Sequence, residues 1–299
     1  MDESSPRTAV FLHRNVDVDG LSIRLAELRE AQRDDARPGL LFLHGWPQDW
    51  SSFQSTMLRL TRECRVAAID LPGIGGSTPA PPEGDKRTLA RYVHGVLAEL
   101  GWKKAVLVGH DVGGQITYAY LKAYPGELSA AVILNVALPG VEPWAELERN
   151  SRLWPLAFHS LPELPELLVS GHEARYFAHF YDAIAAQPGA APELLRQRYV
   201  EAYRRPGALR ASFDWYRGLR QDQRDNAAAK QLQVHTPVLY LRGGAERGIE
   251  LERYLAGLRE HGLCELVGDV IPGSGHFTPD EQPEALARRI AAFLRSQCH

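Results

Sequence analysis

Hydrophobic and polar positions follow two regimes along the chain. Over residues 10–30 apolar and polar residues alternate in two short runs separated by Asp17-Val18-Asp19-Gly20, which predicts a β-hairpin. Short, nearly continuous apolar runs come next: LLFLH (40–44), RVAAID (65–70), AVLVG (105–109) and AAVILN (130–135), then VLYLRG (238–243) and CELVGDVI (264–271). Strands that are apolar on both faces belong to a parallel sheet covered on both sides. Helix-periodic segments separate them, among them 87–100, 113–124, 249–259 and 283–294. Strand and helix in alternation predict an α/β fold with a mostly parallel, doubly wound sheet.

The stretch 137–226 breaks the alternation. It has no comparable apolar run, is rich in aromatics, and carries Pro139, Pro143, Pro155, Pro162 and Pro165. WPLAFHSLPELPELL and ASFDWYRGL predict short helices joined by proline turns. The expected organisation is a core formed by 1–136 and 227–299, with 137–226 inserted as an α-helical cap. At 299 residues and 44% hydrophobic, the chain is long enough for such a core and an insertion.

Charge and cysteines narrow the function classes. A formal net charge of −3 leaves no electrostatic footprint for nucleic acid, and no basic helix suggests a membrane surface. The longest apolar run falls short of a membrane span, and MDESSPRTAV is too acidic and polar for a signal peptide. Cys64, Cys264 and Cys298 are far apart and lack metal-ligand spacing, as free thiols in a reducing compartment do. The expectation is a cytoplasmic protein acting on a small molecule, with no metal, no cofactor and no nucleic-acid or membrane partner. A homodimer stays open.

Three motifs carry chemistry. Gly109-His110-Asp111-Val112-Gly113 fits G-x-D-x-G, a nucleophile elbow with aspartate where serine is usual. Glycines on either side let a strand double back into a helix, and the helix N-terminus favours an ionised carboxylate. The plainer alternative is an ordinary N-cap aspartate on a glycine-rich turn. LFLHGWPQ (41–48) ends a strand in a turn whose backbone N–H, at Trp46, could join that of Val112 as an oxyanion hole. His44 reads as a structural hydrogen-bonding residue. Gly273-Ser274-Gly275-His276-Phe277 follows the last apolar run and supplies a histidine able to reach a nucleophile on the central strand.

HGWPQ, DLPGIGGS (70–77), GHDVGG and GSGHF, in this order and spacing, resemble the α/β-hydrolase superfamily, specifically its epoxide hydrolase and dehalogenase branch with an aspartate nucleophile. GHEARYFAHFY followed by ASFDWYRG is similar to the cap of bacterial epoxide hydrolases. The resemblance implies attack by Asp111 on a saturated carbon to give an ester, which water activated by His276 then hydrolyses. A serine would yield a stable ether instead. It also implies a cap donor for the leaving oxygen, which Tyr216 matches; the alternative is a core tyrosine. Where a second donor is expected in a W-H-F-like segment, the chain reads Trp154-Pro155-Leu156-Ala157-Phe158-His159, leaving His159 or Trp154 as candidates. The acid that orients His276 is expected either after the sixth strand, where Asn135 stands, or after the seventh, where Glu246 fits. The alternative for Glu246 is a solvated loop residue.

The first expectation is therefore a cofactor-independent epoxide hydrolase acting on a small to medium organic epoxide. A haloalkane or haloacid dehalogenase is the alternative on the same fold. Val112 lacks the side-chain donor expected for a halide, and Val112 and Gln115 lack the arginine charge expected for a haloacid carboxylate. A non-hydrolytic cyclase or ligand-binding protein is the alternative of another class.

Overall fold

The structure is a computed structural model that describes residues 11–28, 37–246 and 248–297. Val10, the start of the chain, residues 29–30 and Cys298 lie outside the described residues. Strands β1 (Phe11–Val18) and β2 (Leu21–Leu28) pair antiparallel. The chain turns between them on Asp19-Gly20 alone, at φ 48° and 82°, the signs a two-residue type I′ hairpin turn requires.

The apolar runs form β3 (Gly39–Leu43), β4 (Arg65–Ile69), β5 (Ala105–His110), β6 (Ala130–Leu134), β7 (Val238–Gly243) and β8 (Leu266–Ile271). One sheet holds all eight strands in the order β1-β2-β4-β3-β5-β6-β7-β8, and β3 to β8 are parallel. Alternate residues serve opposite layers. Leu41, Leu43, Leu107 and Ile133 pack under the helices Lys86–Leu100 and Val112–Ala123, while Leu40, Phe42, Val106 and Val132 face the helices Gln54–Leu60 and Pro283–Ser296. Burial on both faces explains runs that look unbroken in the sequence.

Two elements differ from expectation. The last strand starts at Leu266 rather than Cys264, and its middle is open, with Val267 51% exposed. It is an edge strand hydrogen-bonded on one side only. The helix Gln54–Leu60 continues a 3-10 turn at Trp50–Phe53 and is too short to give a periodic signature.

Between β6 and β7 the chain forms helices and no strand. Several buried bonds fasten this helical segment to the loops and helices around the sheet. Lys86 and Asp222 form an ion pair at 2.8 Å with both side chains 3% exposed. Tyr181 donates to the Pro47 carbonyl at 2.6 Å, Tyr199 donates to Asp280 at 2.8 Å, and the His276 N–H donates to the Ile184 carbonyl at 2.9 Å.

Strand order reverses around β3. From it the chain passes to β4 on one side and then to β5 on the other. In an open α/β sheet, ligands bind beyond the carboxyl ends of the strands at such a reversal. Leu43 of β3 and Gly109 of β5 are register partners there, which brings the His44-Gly45-Trp46 turn beside Asp111.

Candidate active site

Asp111 occupies the tight turn between β5 and the helix Val112–Ala123, at φ 50° and ψ −122°. A non-glycine residue held there costs of order 1–3 kcal/mol, a strain that the surroundings must over-determine. They do so by contact. A Cβ on Gly109 would sit 2.1 Å from the Gly113 carbonyl oxygen, and one on Gly113 would sit 2.2 Å from the Leu43 carbonyl oxygen. Strand, turn and helix thus approach more closely than any side chain permits. The Asp111 carboxylate makes no capping bond to its helix, unlike an N-cap aspartate.

The carboxylate turns instead toward the β3 turn, where the Trp46 N–H donates to Oδ2 at 2.9 Å. Burial pushes the Asp111 carboxyl above its ordinary value; the His276 charge and the N–H groups of Trp46 and Val112 pull it back only in part. Both backbone donors expected of an oxyanion hole therefore act on this one carboxylate. His44 is buried: its Nε2 accepts from the Leu71 N–H at 2.9 Å, and burial lowers its pKa to about 4. It is a neutral brace between two loops.

His276 stands on the loop after β8. His110 Nε2 donates to the His276 carbonyl at 2.7 Å, so the residue next to Asp111 in sequence also fixes the histidine's backbone. The imidazole Nδ1 lies 3.3 Å from Glu246 Oε1, and Glu246 Oε2 accepts from Arg242 Nε at 3.0 Å. Glu246 is therefore not a solvated loop residue. Burial by itself would raise its carboxyl, but the His276 hydrogen bond and charge, with Arg242 behind them, hold it below the usual range. Burial by itself would lower the His276 imidazole, but the Glu246 hydrogen bond and the Asp111 charge raise it on balance. Asn135 is not against that ring. Its Nδ2 donates to the Gly275 carbonyl at 3.3 Å, and its backbone has φ 51°.

Above this group the helical segment presents aromatic rings. Tyr216 stands edge-on to Trp46 with ring centroids 6.1 Å apart, and its hydroxyl is held far above its ordinary pKa by burial and then by the Asp111 charge. Tyr216 is thus a neutral O–H within the field of the carboxylate. His159 is fully buried, and its Nε2 lies 2.7 Å from the Tyr176 hydroxyl. Trp154 packs on Phe180 at 5.7 Å and is 40% exposed, which puts it on the outer side of the aromatic cluster.

The structure brings together Asp111, His276, Glu246 and Tyr216, which the sequence singled out, and adds Arg242, Tyr176 and Tyr181, to which the sequence gave no role. Arg242 stands four residues before Glu246, a spacing that could have suggested the pair. Tyr176 had no local signal, since its partner His159 is 17 residues away. Among the described residues, no group of three or more His, Cys, Asp or Glu side chains could hold a metal ion.

Comparison with known proteins agrees with the fold. A sequence profile of the Alpha/beta hydrolase family matches residues 40–289. The mouse (Mus musculus) protein named Epoxide hydrolase 4 is 28% identical over 277 residues, covering 89% of this chain and 76% of its own. The Soluble epoxide hydrolase of Corynebacterium sp. (strain C12) is 28% identical over 265 residues, covering 85% of this chain and 89% of its own. Among solved structures, wild-type Cfl2 from Burkholderia cenocepacia superposes with a TM-score of 0.84 at 31% identity, covering 97% of each chain.

Proposed function

The chain belongs to the alpha/beta hydrolase family, and on that premise we propose that it opens an organic epoxide to a vicinal diol through an ester on Asp111. In the first half-reaction Asp111 Oδ1 forms a bond to a ring carbon. The ring C–O bond breaks, and the departing oxygen takes a proton from the Tyr216 hydroxyl. In the second, His276 removes a proton from water and the resulting hydroxide adds to the Asp111 carbonyl carbon. The carbonyl oxygen Oδ2 receives the charge against the N–H groups of Trp46 and Val112. Collapse expels the diol oxygen, which takes the proton back from His276, and the proton left on the regenerated Asp111 carboxyl returns through solvent to the Tyr216 phenolate. Glu246 holds the imidazolium that forms in between.

The observation that carries this reading is the Asp111 carboxylate itself, which makes no helix cap and has Oδ2 on the Trp46 N–H. The relatives named as epoxide hydrolases support the substrate class. A panel of aryl and alkyl epoxides beside haloalkanes and haloacetate, read by product mass, tests it. Diol from epoxides is the expected outcome; halide release with no diol would transfer the protein to the dehalogenase reading.

Two variants probe the supporting groups. Tyr216→Phe is expected to slow formation of the ester, by up to about 10²–10³-fold if it is the sole donor in a water-excluded site, and to leave its hydrolysis unchanged. Glu246→Gln is expected to slow hydrolysis of the ester by more than about tenfold, because an amide can hold the wrong imidazole tautomer and gives the imidazolium no counter-charge. Asn135→Ala should leave hydrolysis of the ester near wild type. Stopped-flow measurement of the two half-reactions separates these effects.

A further inference from the structure

A buried polar chain runs from the helical segment to the loop that carries His276. His110 lies at its centre, with Nε2 on the His276 carbonyl at 2.7 Å and Nδ1 2.9 Å from Gln48 Oε1. Gln48 Nε2 lies 2.7 Å from Asp280 Oδ2, and the Tyr199 hydroxyl donates to Asp280 Oδ1 at 2.8 Å. Asp280 sits on the short helix Thr278–Glu281 just after His276, and Tyr199 on the helix Glu193–Tyr203. Gln48 belongs to the β3 turn, where its backbone N–H donates to the Gly45 carbonyl at 3.0 Å.

The supply of hydrogens fixes the protonation of this chain. Burial, and then the His276 charge, lowers the His110 imidazole to about 3, so the ring is neutral and carries one N–H. A carbonyl has no hydrogen to give, so the bond to His276 takes that N–H at Nε2 and leaves a bare lone pair on Nδ1. A Gln48 oxygen facing the lone pair would set two buried acceptors against each other. The oxygen and nitrogen of an amide have nearly the same size, and its hydrogen-bond partners decide which way it points. Turned over, the Gln48 NH₂ donates to Nδ1 and the Gln48 oxygen meets Asp280 Oδ2. Two oxygens in that contact need a hydrogen between them, and only Asp280 can supply it, as a carboxylic acid. Its surroundings favour this form. Burial raises the Asp280 carboxyl to about 7 against the Tyr199 and Gln48 bonds, and the Asp49 and Glu281 charges push the same way as burial. Asp49 faces it from the β3 turn, itself paired with Arg198 at 3.0 Å, and Glu281 stands on its own helix. Tyr181, from the helix Glu173–Ala183, is a buried neutral phenol under the Arg196 guanidinium.

We infer that Asp280 is a carboxylic acid in the working protein and a positioning residue for His276, its proton holding Gln48 and His110 in the one arrangement that bonds the His276 backbone. The inference rests on the epoxide reading only for what His276 does; the placement of the proton needs no substrate. When Asp280 loses that proton to solvent, its oxygens call for a donor, and Gln48 turns its NH₂ toward them. The Gln48 oxygen then draws the imidazole hydrogen to Nδ1. His110 Nε2 is left as a lone pair against the His276 carbonyl, and the brace on the loop after β8 is lost.

The test is a titration of ¹³C,¹⁵N-labelled protein by NMR, from about pH 5 to about pH 9, a span that brackets a carboxyl raised this far. In wild type the Asp280 carboxyl carbon should pass from acid to carboxylate near pH 7. His110 should change from the Nε2–H to the Nδ1–H tautomer in the same transition, and the His276 backbone signals should shift with it. Asp280→Asn has an amide that donates to Gln48 and accepts from Tyr199 as the acid does, but it cannot ionise. Its His110 should keep the Nε2–H tautomer across the range. Stopped-flow hydrolysis of the styrene oxide ester gives the second readout, each protein normalised to its own maximum. Wild type should lose about tenfold at the alkaline end, the scale on which outer-shell partners of a histidine act, and Asp280→Asn should show no alkaline fall. An Asp280 carbon that reads as carboxylate at about pH 5, or a His110 tautomer that never changes in wild type, overturns the inference. An alkaline fall that persists in Asp280→Asn also overturns it. If that variant does not fold, the wild-type titration decides alone. Protein that shows the NMR transition but makes no diol from any epoxide defeats the epoxide reading and leaves the Asp280 proton in place.

Discussion

Asp111→Asn is expected to reduce turnover by about 10⁶-fold, the scale on which an enzyme loses its covalent nucleophile, while the folded protein becomes no less stable. The two halves of that result have one cause. Burial raises the Asp111 carboxyl, so the folded state takes up a proton more readily than the unfolded chain does. As pH rises through this raised value, the ionised carboxylate destabilises the fold, and at neutral pH and above its removal should raise the thermal midpoint. Asparagine also tolerates the positive φ of the turn. An N-cap aspartate would behave in the opposite way, since its loss costs about 1 kcal/mol of stability and no activity. Isotope placement gives a second readout. In a single turnover in ¹⁸O-water, the diol should carry the original Asp111 oxygen and the label should appear in the Asp111 carboxylate, because water adds to the ester carbonyl carbon. Label in the diol of the first turnover would mean direct attack by water on the epoxide, and the ester mechanism would fall.

The parts of the fold that the sequence disclosed are those under local steric or burial constraint. β3 to β7 were visible because both faces are covered, and β8 was misjudged at its start because an edge strand is not. The elbow was legible because Gly109 and Gly113 lie within van der Waals contact of backbone carbonyls, where no other residue fits. Contributions from the helical segment behave differently. Tyr181 reaches the Pro47 carbonyl across 134 residues and Tyr199 reaches Asp280 across 81, and no periodicity encodes such meetings. The question between Asn135 and Glu246 had the same character. Both stand at strand ends near the histidine, and only the placement of side chains separates them: the Asn135 amide goes to the Gly275 backbone, and the Glu246 carboxylate goes to the His276 ring.

The second large effect belongs to His276. In His276→Gln, Asp111 should still be alkylated, but hydrolysis of the ester should fall by about 10²–10⁴-fold, the usual contribution of a general base. One equivalent of ester should then accumulate, visible as a mass increase equal to the epoxide. An unmodified variant that still binds substrate would remove His276 from this role. The electrostatics add a pH signature. In the free protein burial lowers the imidazole, but the Glu246 hydrogen bond and the Asp111 charge raise it above the ordinary value near 6.5 on balance. In the proposed mechanism neutral imidazole is the active base, so ester hydrolysis should be lost as pH falls through the His276 pKa. Alkylation, however, converts the Asp111 anion into a neutral ester just before His276 is needed. One of the charges holding the imidazole protonated disappears, and its pKa falls in the intermediate. The acid limb of ester hydrolysis should therefore lie at lower pH than the titration of His276 in the free enzyme followed by NMR. Asp111→Asn removes the same charge without chemistry and should shift the His276 titration down in the same direction. If the imidazole titrates identically in wild type and Asp111→Asn, the two side chains do not sense each other, and the link between the half-reactions is lost.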